Sequence, residues 1–165
     1  MRPAGNACRF RSGQTAGLLA ALLLVLPGAA GCGDDGGGVC AEERSAAERE
    51  LGRLVDEERQ SAGLPPYRAD DALDCAARMH AQDMARNDYF SHDSPDGRTF
   101  VDRARSAGYD GAPLGENIAL SSTPASVVAM WMDSDGHRAN LLSQEANEIG
   151  VGNEGDLWVV VIGRE

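Results

Sequence analysis

Residues 131–140 read Trp-Met-Asp-Ser-Asp-Gly-His-Arg-Ala-Asn, a polar stretch that directly follows an apolar segment. Two similar stretches precede it: residues 90–94 read Phe-Ser-His-Asp-Ser, and residues 115–119 read Gly-Glu-Asn-Ile-Ala. Each lies between apolar segments, as do the loops on which proteins usually build their sites. The three stretches supply the candidate site residues, but 24 and 21 residues separate His92, Glu116 and His137. The spacing alone therefore does not show that these side chains meet.

The segments around these stretches predict four helices. Apolar residues recur at helical spacing from residue 41 to 62, where a glycine and two prolines end the pattern. A second helix is expected from Asp70 or Asp71 to Asn87, a short third helix over residues 99–107, and a fourth over residues 124–132. His80 lies on the apolar face of the second helix, where a lone histidine is usually structural. The fourth helix is expected to bury Val127, Val128, Met130 and Trp131.

The end of the chain predicts a β-hairpin. Residues 148–153 and 157–162 are two short β-like runs around Glu154-Gly155-Asp156. Helices followed by strands gathered late in the chain favour an α+β layered domain.

The first 40 residues indicate export and a tether. Residues 1–31 contain three arginines, an apolar run of 11 residues and then small residues before Cys32, as in a signal peptide with a lipobox. We expect Cys32 to be acylated and residues 32–40, rich in Gly and Asp, to tether a domain formed by residues 41–165. Ala29 stands where leucine is commonest in a lipobox, so ordinary cleavage and secretion is the alternative.

The cysteines agree with an oxidising compartment. Removal of the signal deletes Cys8 and acylation consumes Cys32, which leaves Cys40 and Cys75 as an even pair. A disulfide between these two residues is the expectation, and two free thiols are the alternative.

Charge and composition exclude several classes of function. The chain has 15 basic and 26 acidic residues, and after Cys32 the balance is 12 against 26. So acidic a chain disfavours a nucleic-acid partner, because the phosphate backbone requires a basic surface. Every basic residue is arginine, so the absence of lysine excludes Schiff-base chemistry.

Four motifs occur here in the order seen in bacterial CAP domains. They are Phe-Ser-His-Asp-Ser, Gly-Glu-Asn-Ile-Ala, Trp-x-x-Ser-x-x-His-Arg-x-Asn-Leu-Leu and Glu-Ile-Gly-Val-Gly. Over about residues 49–163 the chain resembles this superfamily, which contains the cysteine-rich secretory proteins, antigen 5 and the plant pathogenesis-related proteins. The resemblance implies secretion and an α-β-α sandwich with a small antiparallel sheet between the helices. It also implies a cleft lined by two histidines and two acids.

On this resemblance, His92 and His137 match the two cleft histidines and Glu116 matches the first acid. Ser134 stands where the second acid is found in the eukaryotic branch. Two imidazoles can hold zinc or a similar ion, so His92 and His137 are possible metal ligands, binding weakly without the second acid. The alternative is a hydrogen-bonded network in which Glu116 accepts from one histidine.

The expected function is that of a non-catalytic binding or interaction module, anchored to the membrane through Cys32. Its ligand would be a small apolar or lipid molecule, a weakly bound metal ion or an envelope component. The alternative is a protease-like hydrolase that uses His92, Glu116 and His137. A triad of Ser134, His137 and Glu116 has the right residue types, but no Gly-x-Ser-x-Gly elbow is present. A purely structural envelope protein is the third hypothesis.

Overall fold

The computed structural model describes Cys40 and residues 42–165. The predicted signal peptide, Cys32 and most of the tether lie outside these residues. Within them the element order is α1 (Ala46–Ser61), β1 (Arg68–Ala69), α2 (Asp71–Asn87), α3 (Phe100–Ser106), β2 (Ala112–Leu120), α4 (Pro124–Met132), α5 (Asp135–Leu141), β3 (Glu148–Glu154) and β4 (Leu157–Arg164).

Helix α1 begins five residues later than the apolar pattern predicts. The Ser45 side chain accepts a hydrogen bond from the Glu48 N–H, and the Glu48 carboxylate accepts one from the Ser45 N–H. This capping box satisfies two backbone donors that the first turn would otherwise leave unpaired, and it fixes the start of the helix. The predicted start at residue 41 was therefore wrong, whereas the predicted end differs by one residue.

The other three predicted helices are confirmed, with one correction to the core. The side chains of Asp70, Thr99 and Thr123 cap α2, α3 and α4. In α4, Val127, Val128 and Trp131 are buried as expected. Met130 was expected in the core, but 49% of its surface is exposed.

The expectation of three polar loops was correct for only one stretch. Residues 90–94 form a loop, but residues 115–119 belong to strand β2, and residues 135–140 belong to helix α5. The strand was missed because its polar residues are buried by specific partners, which interrupts the alternation by which a half-buried strand is recognised.

The sheet has four strands in the order β1-β3-β4-β2. Strands β3 and β4 form the predicted hairpin, connected by Gly155 and Asp156, and Gly155 has a φ of 57°. Strand β2 pairs antiparallel with β4, whereas the two-residue β1 pairs parallel with β3. The antiparallel sheet that was expected is therefore extended by one short parallel strand.

Alternate residues of β4 enter two separate cores. Val159 and Val161 pack under α2 and α3, whereas Trp158, Val160 and Ile162 pack with α1, α4 and α5. Side chains alternate across a strand, so a strand covered by helices on both sides is apolar on both faces. The three layers confirm the α-β-α sandwich.

Two glycines of β3 allow α2 to pack directly on the sheet. A Cβ on Gly150 would lie 2.1 Å from the carbonyl carbon of Leu73, and one on Gly152 would lie 2.3 Å from that of Ala77. Any side chain at these positions would collide with the helix backbone, so the Gly-Val-Gly sequence is required by this close approach. It also fixes the position of α2, which supplies His80 to the site.

Cys40 and Cys75 form the expected disulfide, with their Cα atoms 4.6 Å apart. The bond joins the segment before α1 to the first turns of α2. Among the described residues, no helix has both the length and the apolar character that crossing a bilayer requires.

Candidate functional site

The site lies along strand β2, where neighbouring residues face different layers. Ile118 belongs to the core under α2 and α3, and Ala119 belongs to the core under α4. By the same alternation, Glu116 faces α2 and α3, whereas Asn117 faces α4 and α5. Because β2 is an edge strand, side chains from both layers can reach this point.

Both carboxylate oxygens of Glu116 are occupied. Oε2 accepts a hydrogen bond of 2.6 Å from Nη2 of Arg103, and Oε1 accepts one of 2.9 Å from Nδ1 of His92. Only 1% of the Glu116 side chain and 4% of the Arg103 side chain are exposed. The carboxylate is therefore buried, and its charge is balanced by one guanidinium.

Arg103 is a site residue that the sequence analysis missed. Its guanidinium also donates to the backbone oxygens of His92 and Arg98 and to Oγ of Ser94. Its neighbours in α3 include Asp102 and Arg105, which are exposed, so no pattern in the sequence distinguishes the one buried charge in this helix.

His80 is fully buried, as expected for a structural histidine, but it also contacts the site. Its Nε2–H donates to the carbonyl oxygen of Ser91 at 2.9 Å, and the same nitrogen lies 3.9 Å from Oε1 of Glu116. Burial lowers the pKa of His80, because desolvation disfavours the charged imidazolium. The hydrogen bond holds the backbone immediately before His92.

Asparagines position His137 from the other face of β2. Nδ2 of Asn117 donates to the carbonyl oxygen of His137 at 3.0 Å, and Nδ2 of Asn140 donates to Oδ1 of Asn117 at 2.9 Å. A Cβ on Gly115 would lie 2.9 Å from Oδ1 of Asn140. In the Gly-Glu-Asn motif, Gly115 leaves room for Asn140 and Glu116 pairs with His92. Asn117 holds the backbone of His137.

The two histidines have pKa values shifted in opposite directions. The hydrogen bond to Glu116 raises the pKa of His92, whose side chain is half exposed. Burial, and then the charge of His92, lower the pKa of His137. Glu116 and Asn117 are adjacent in β2, so the loop of His92 and the helix of His137 meet at the same part of this strand.

Ser134 does not supply a second acid, and neither do its neighbours. It precedes α5, and its side chain makes no capping hydrogen bond. Asp135 is exposed and pairs with Arg138 on the surface. Among the residues that the structure describes, no three His, Cys, Asp or Glu side chains are grouped so that they could hold a metal ion. Since Glu116 is fully occupied, the donors present do not complete a three-ligand zinc centre. Weak zinc binding by His92 and His137 stays a prediction.

A three-layer sandwich with this histidine and glutamate site defines the CAP, or SCP-like, class of domain. Residues 53–156 match the family described as CAP, the cysteine-rich secretory protein family. The chain belongs to this family, as its motifs indicated.

Two curated relatives come from Bacillus subtilis (strain 168). The uncharacterized protein YkwD is 41% identical over 117 residues, which cover 69% of this chain and 46% of YkwD. The uncharacterized membrane protein YlbC is 33% identical over 111 residues, covering 66% of this chain and 32% of YlbC. The chain therefore spans less than half the length of these relatives.

Solved structures agree with the fold. An extracellular protein containing an SCP domain from Bacillus anthracis str. Ames has a TM-score of 0.70 and 32% identity, over 72% of this chain and 40% of that one. An outer surface protein of Borrelia burgdorferi has a TM-score of 0.67 and 22% identity, over 75% of this chain and 96% of that one. At that lower identity, the second likeness supports the fold alone.

Proposed function

We propose that this protein is an extracytoplasmic CAP-domain protein, anchored to the cell envelope by a lipidated Cys32. In this proposal the domain is a non-catalytic binding module, and the cleft at His92, Glu116 and His137 receives a small molecule or an envelope component.

The N-terminal sequence supports the anchor. A basic segment, a short apolar run and small residues before a cysteine are what lipoprotein export requires, and the following glycines provide a spacer. The Bacillus anthracis protein that shares 32% identity with this chain is extracellular, in agreement with export. The Cys40–Cys75 disulfide is also typical of an exported domain.

Replacing Cys32 with serine is expected to move the protein from the membrane fraction to the soluble fraction. Two or three acyl chains hold a protein firmly at a bilayer, whereas a chain without them has no comparable anchor. Cell fractionation and immunoblotting measure the change, and Cys8→Ser is the matched control because Cys8 lies in the predicted signal. Retention of the Cys32→Ser variant in the membrane would rule out the anchor.

The occupation of Glu116 by Arg103 and His92 does not by itself separate binding from catalysis, so the nucleophile decides. The Glu116–His92 pair resembles the acid that orients a catalytic histidine, but such a histidine acts on a nucleophile. Within the described residues, no Ser, Thr or Cys side chain hydrogen-bonds to the ring of His92 or His137. The lack of such a nucleophile among the described residues favours a binding site over a hydrolase.

The protease-like alternative is tested with a proteome-derived peptide library. The purified protein is expected to cleave no peptide faster than its His92→Ala and His137→Ala variants do, with products followed by mass spectrometry. Cleavage by the wild-type protein that both variants lose would establish the hydrolase instead.

A further inference from the structure

The buried carboxylate of Glu116 is neutralised by a cation from the protein itself. Arg103 lies on α3 and Glu116 on β2, and their side chains meet at 2.6 Å while almost fully buried. A carboxylate in such a position requires a cationic partner or a proton. A metal ion bound by the cleft histidines could act as that partner, but here the guanidinium already does so.

We propose that Arg103 takes the place of a divalent cation in this cleft, and that it is the residue which keeps metal binding weak. The proposal concerns the identity of the neutralising cation and does not rest on the anchor or on the absence of catalysis.

The contacts of Arg103 fix its guanidinium in place. Four oxygen atoms surround it: Oε2 of Glu116 at 2.6 Å, the carbonyl oxygens of His92 at 2.9 Å and Arg98 at 3.0 Å, and Oγ of Ser94 at 3.2 Å. Three of these residues, His92, Ser94 and Arg98, belong to the loop between α2 and α3. A side chain held on four oxygens cannot withdraw easily to release Glu116 for a metal ion.

Arg103 opposes a metal ion in two ways. It occupies Oε2 of Glu116, while His92 occupies Oε1, so the carboxylate has no free position at which to ligate. It also places a permanent positive charge against Glu116 and the backbone of His92. Across about 5 Å in water, with a dielectric constant of about 80, Coulomb repulsion from such a charge weakens the binding of a divalent ion by about tenfold, and a lower effective dielectric constant strengthens the effect.

The test measures zinc affinity in the purified full chain by competition with a chromogenic chelator. The wild-type protein is compared with Arg103→Met, which removes the charge, and with the matched control Arg105→Met. Arg105 is exposed on the same helix and donates only to the carbonyl oxygen of Tyr109. We expect Arg103→Met to bind zinc at least about tenfold more tightly than the wild type does. Arg105→Met should not differ from the wild type.

Two further variants make the result specific. The gained affinity should disappear in Arg103→Met/His92→Ala and in Arg103→Met/Glu116→Gln. A folded Arg103→Met protein, by circular dichroism, with unchanged zinc affinity would overturn the proposal. So would a wild-type dissociation constant for zinc below about 1 μM, because such binding is not weak. If Arg103→Met does not fold, zinc should restore its circular dichroism spectrum, and failure to do so would also contradict the proposal.

Discussion

Replacing Glu116 with alanine is expected to lower the free energy of unfolding by about 3 to 5 kcal/mol, because it leaves the Arg103 guanidinium buried without a counter-charge. Both side chains are at most 4% exposed, so water cannot replace the lost partner. His92 also loses the acceptor of its Nδ1–H. Chemical denaturation followed by circular dichroism measures the change.

Two controls distinguish the effect of breaking the buried ion pair from the effect of removing any charged side chain. Glu50→Ala removes an exposed partner of Arg53 and should leave the free energy of unfolding almost unchanged. Arg103→Met/Glu116→Leu removes both buried charges and should be more stable than Glu116→Ala, since replacing a buried pair by apolar residues costs less than breaking it. Equal stability of Glu116→Ala and Glu50→Ala would show that the pair is not buried in solution.

Loss of the disulfide is expected to have the next largest effect. The Cys40→Ser/Cys75→Ser variant should lose about 3 to 4 kcal/mol of unfolding free energy, because the bond restricts the unfolded chain across a separation of 35 residues. Denaturation of this variant and of the oxidised wild-type protein gives the difference.

Peptide mapping without reductant provides the control for this prediction. One linked peptide containing Cys40 and Cys75 is expected from the exported protein. If both thiols are alkylated freely in the folded protein, the bond is absent and the predicted stability difference has no basis.

Helices α1 to α4 could be predicted from the sequence because their signals are local. The apolar periodicity of α1, the cap of α2 and the proline that begins α4 each depend on neighbouring residues. Strand β2 and helix α5 could not be predicted in this way, because their polar residues are buried only through contacts with other elements. Gly115 illustrates the difference, because the side chain that requires a glycine there, Asn140, lies 25 residues later in the chain.

The site was predicted in part. The motifs indicated His92, Glu116 and His137, and the structure brings Glu116 into contact with His92. Arg103 and the second role of His80 were not predicted, because one charged residue among several, or one histidine on an apolar face, has no distinctive spacing. The sequence left a hydrogen-bonded network and a metal site as alternatives, and the contacts of Arg103 favour the network.

The histidines give the domain a defined dependence on pH. The pKa of His92 is raised above its ordinary value of 6.5, so its protonated form stabilises the fold below that pH. This contribution is lost as the pH rises through the raised pKa. The pKa values of His80 and His137 are lowered, so stability decreases as the pH falls below 6.5 toward those values. His92 therefore lowers stability as the pH rises above 6.5, whereas His80 and His137 lower it as the pH falls below 6.5.

A pH titration of the three histidine rings by NMR tests the central claim, that Glu116 is buried between Arg103 and His92, most directly. We predict that His92 titrates above 6.5 while His80 and His137 titrate below it, and that Glu116→Gln lowers the pKa of His92 because the charge that favours its protonated form is removed. A His92 pKa at or below 6.5, unchanged by Glu116→Gln, would contradict the account.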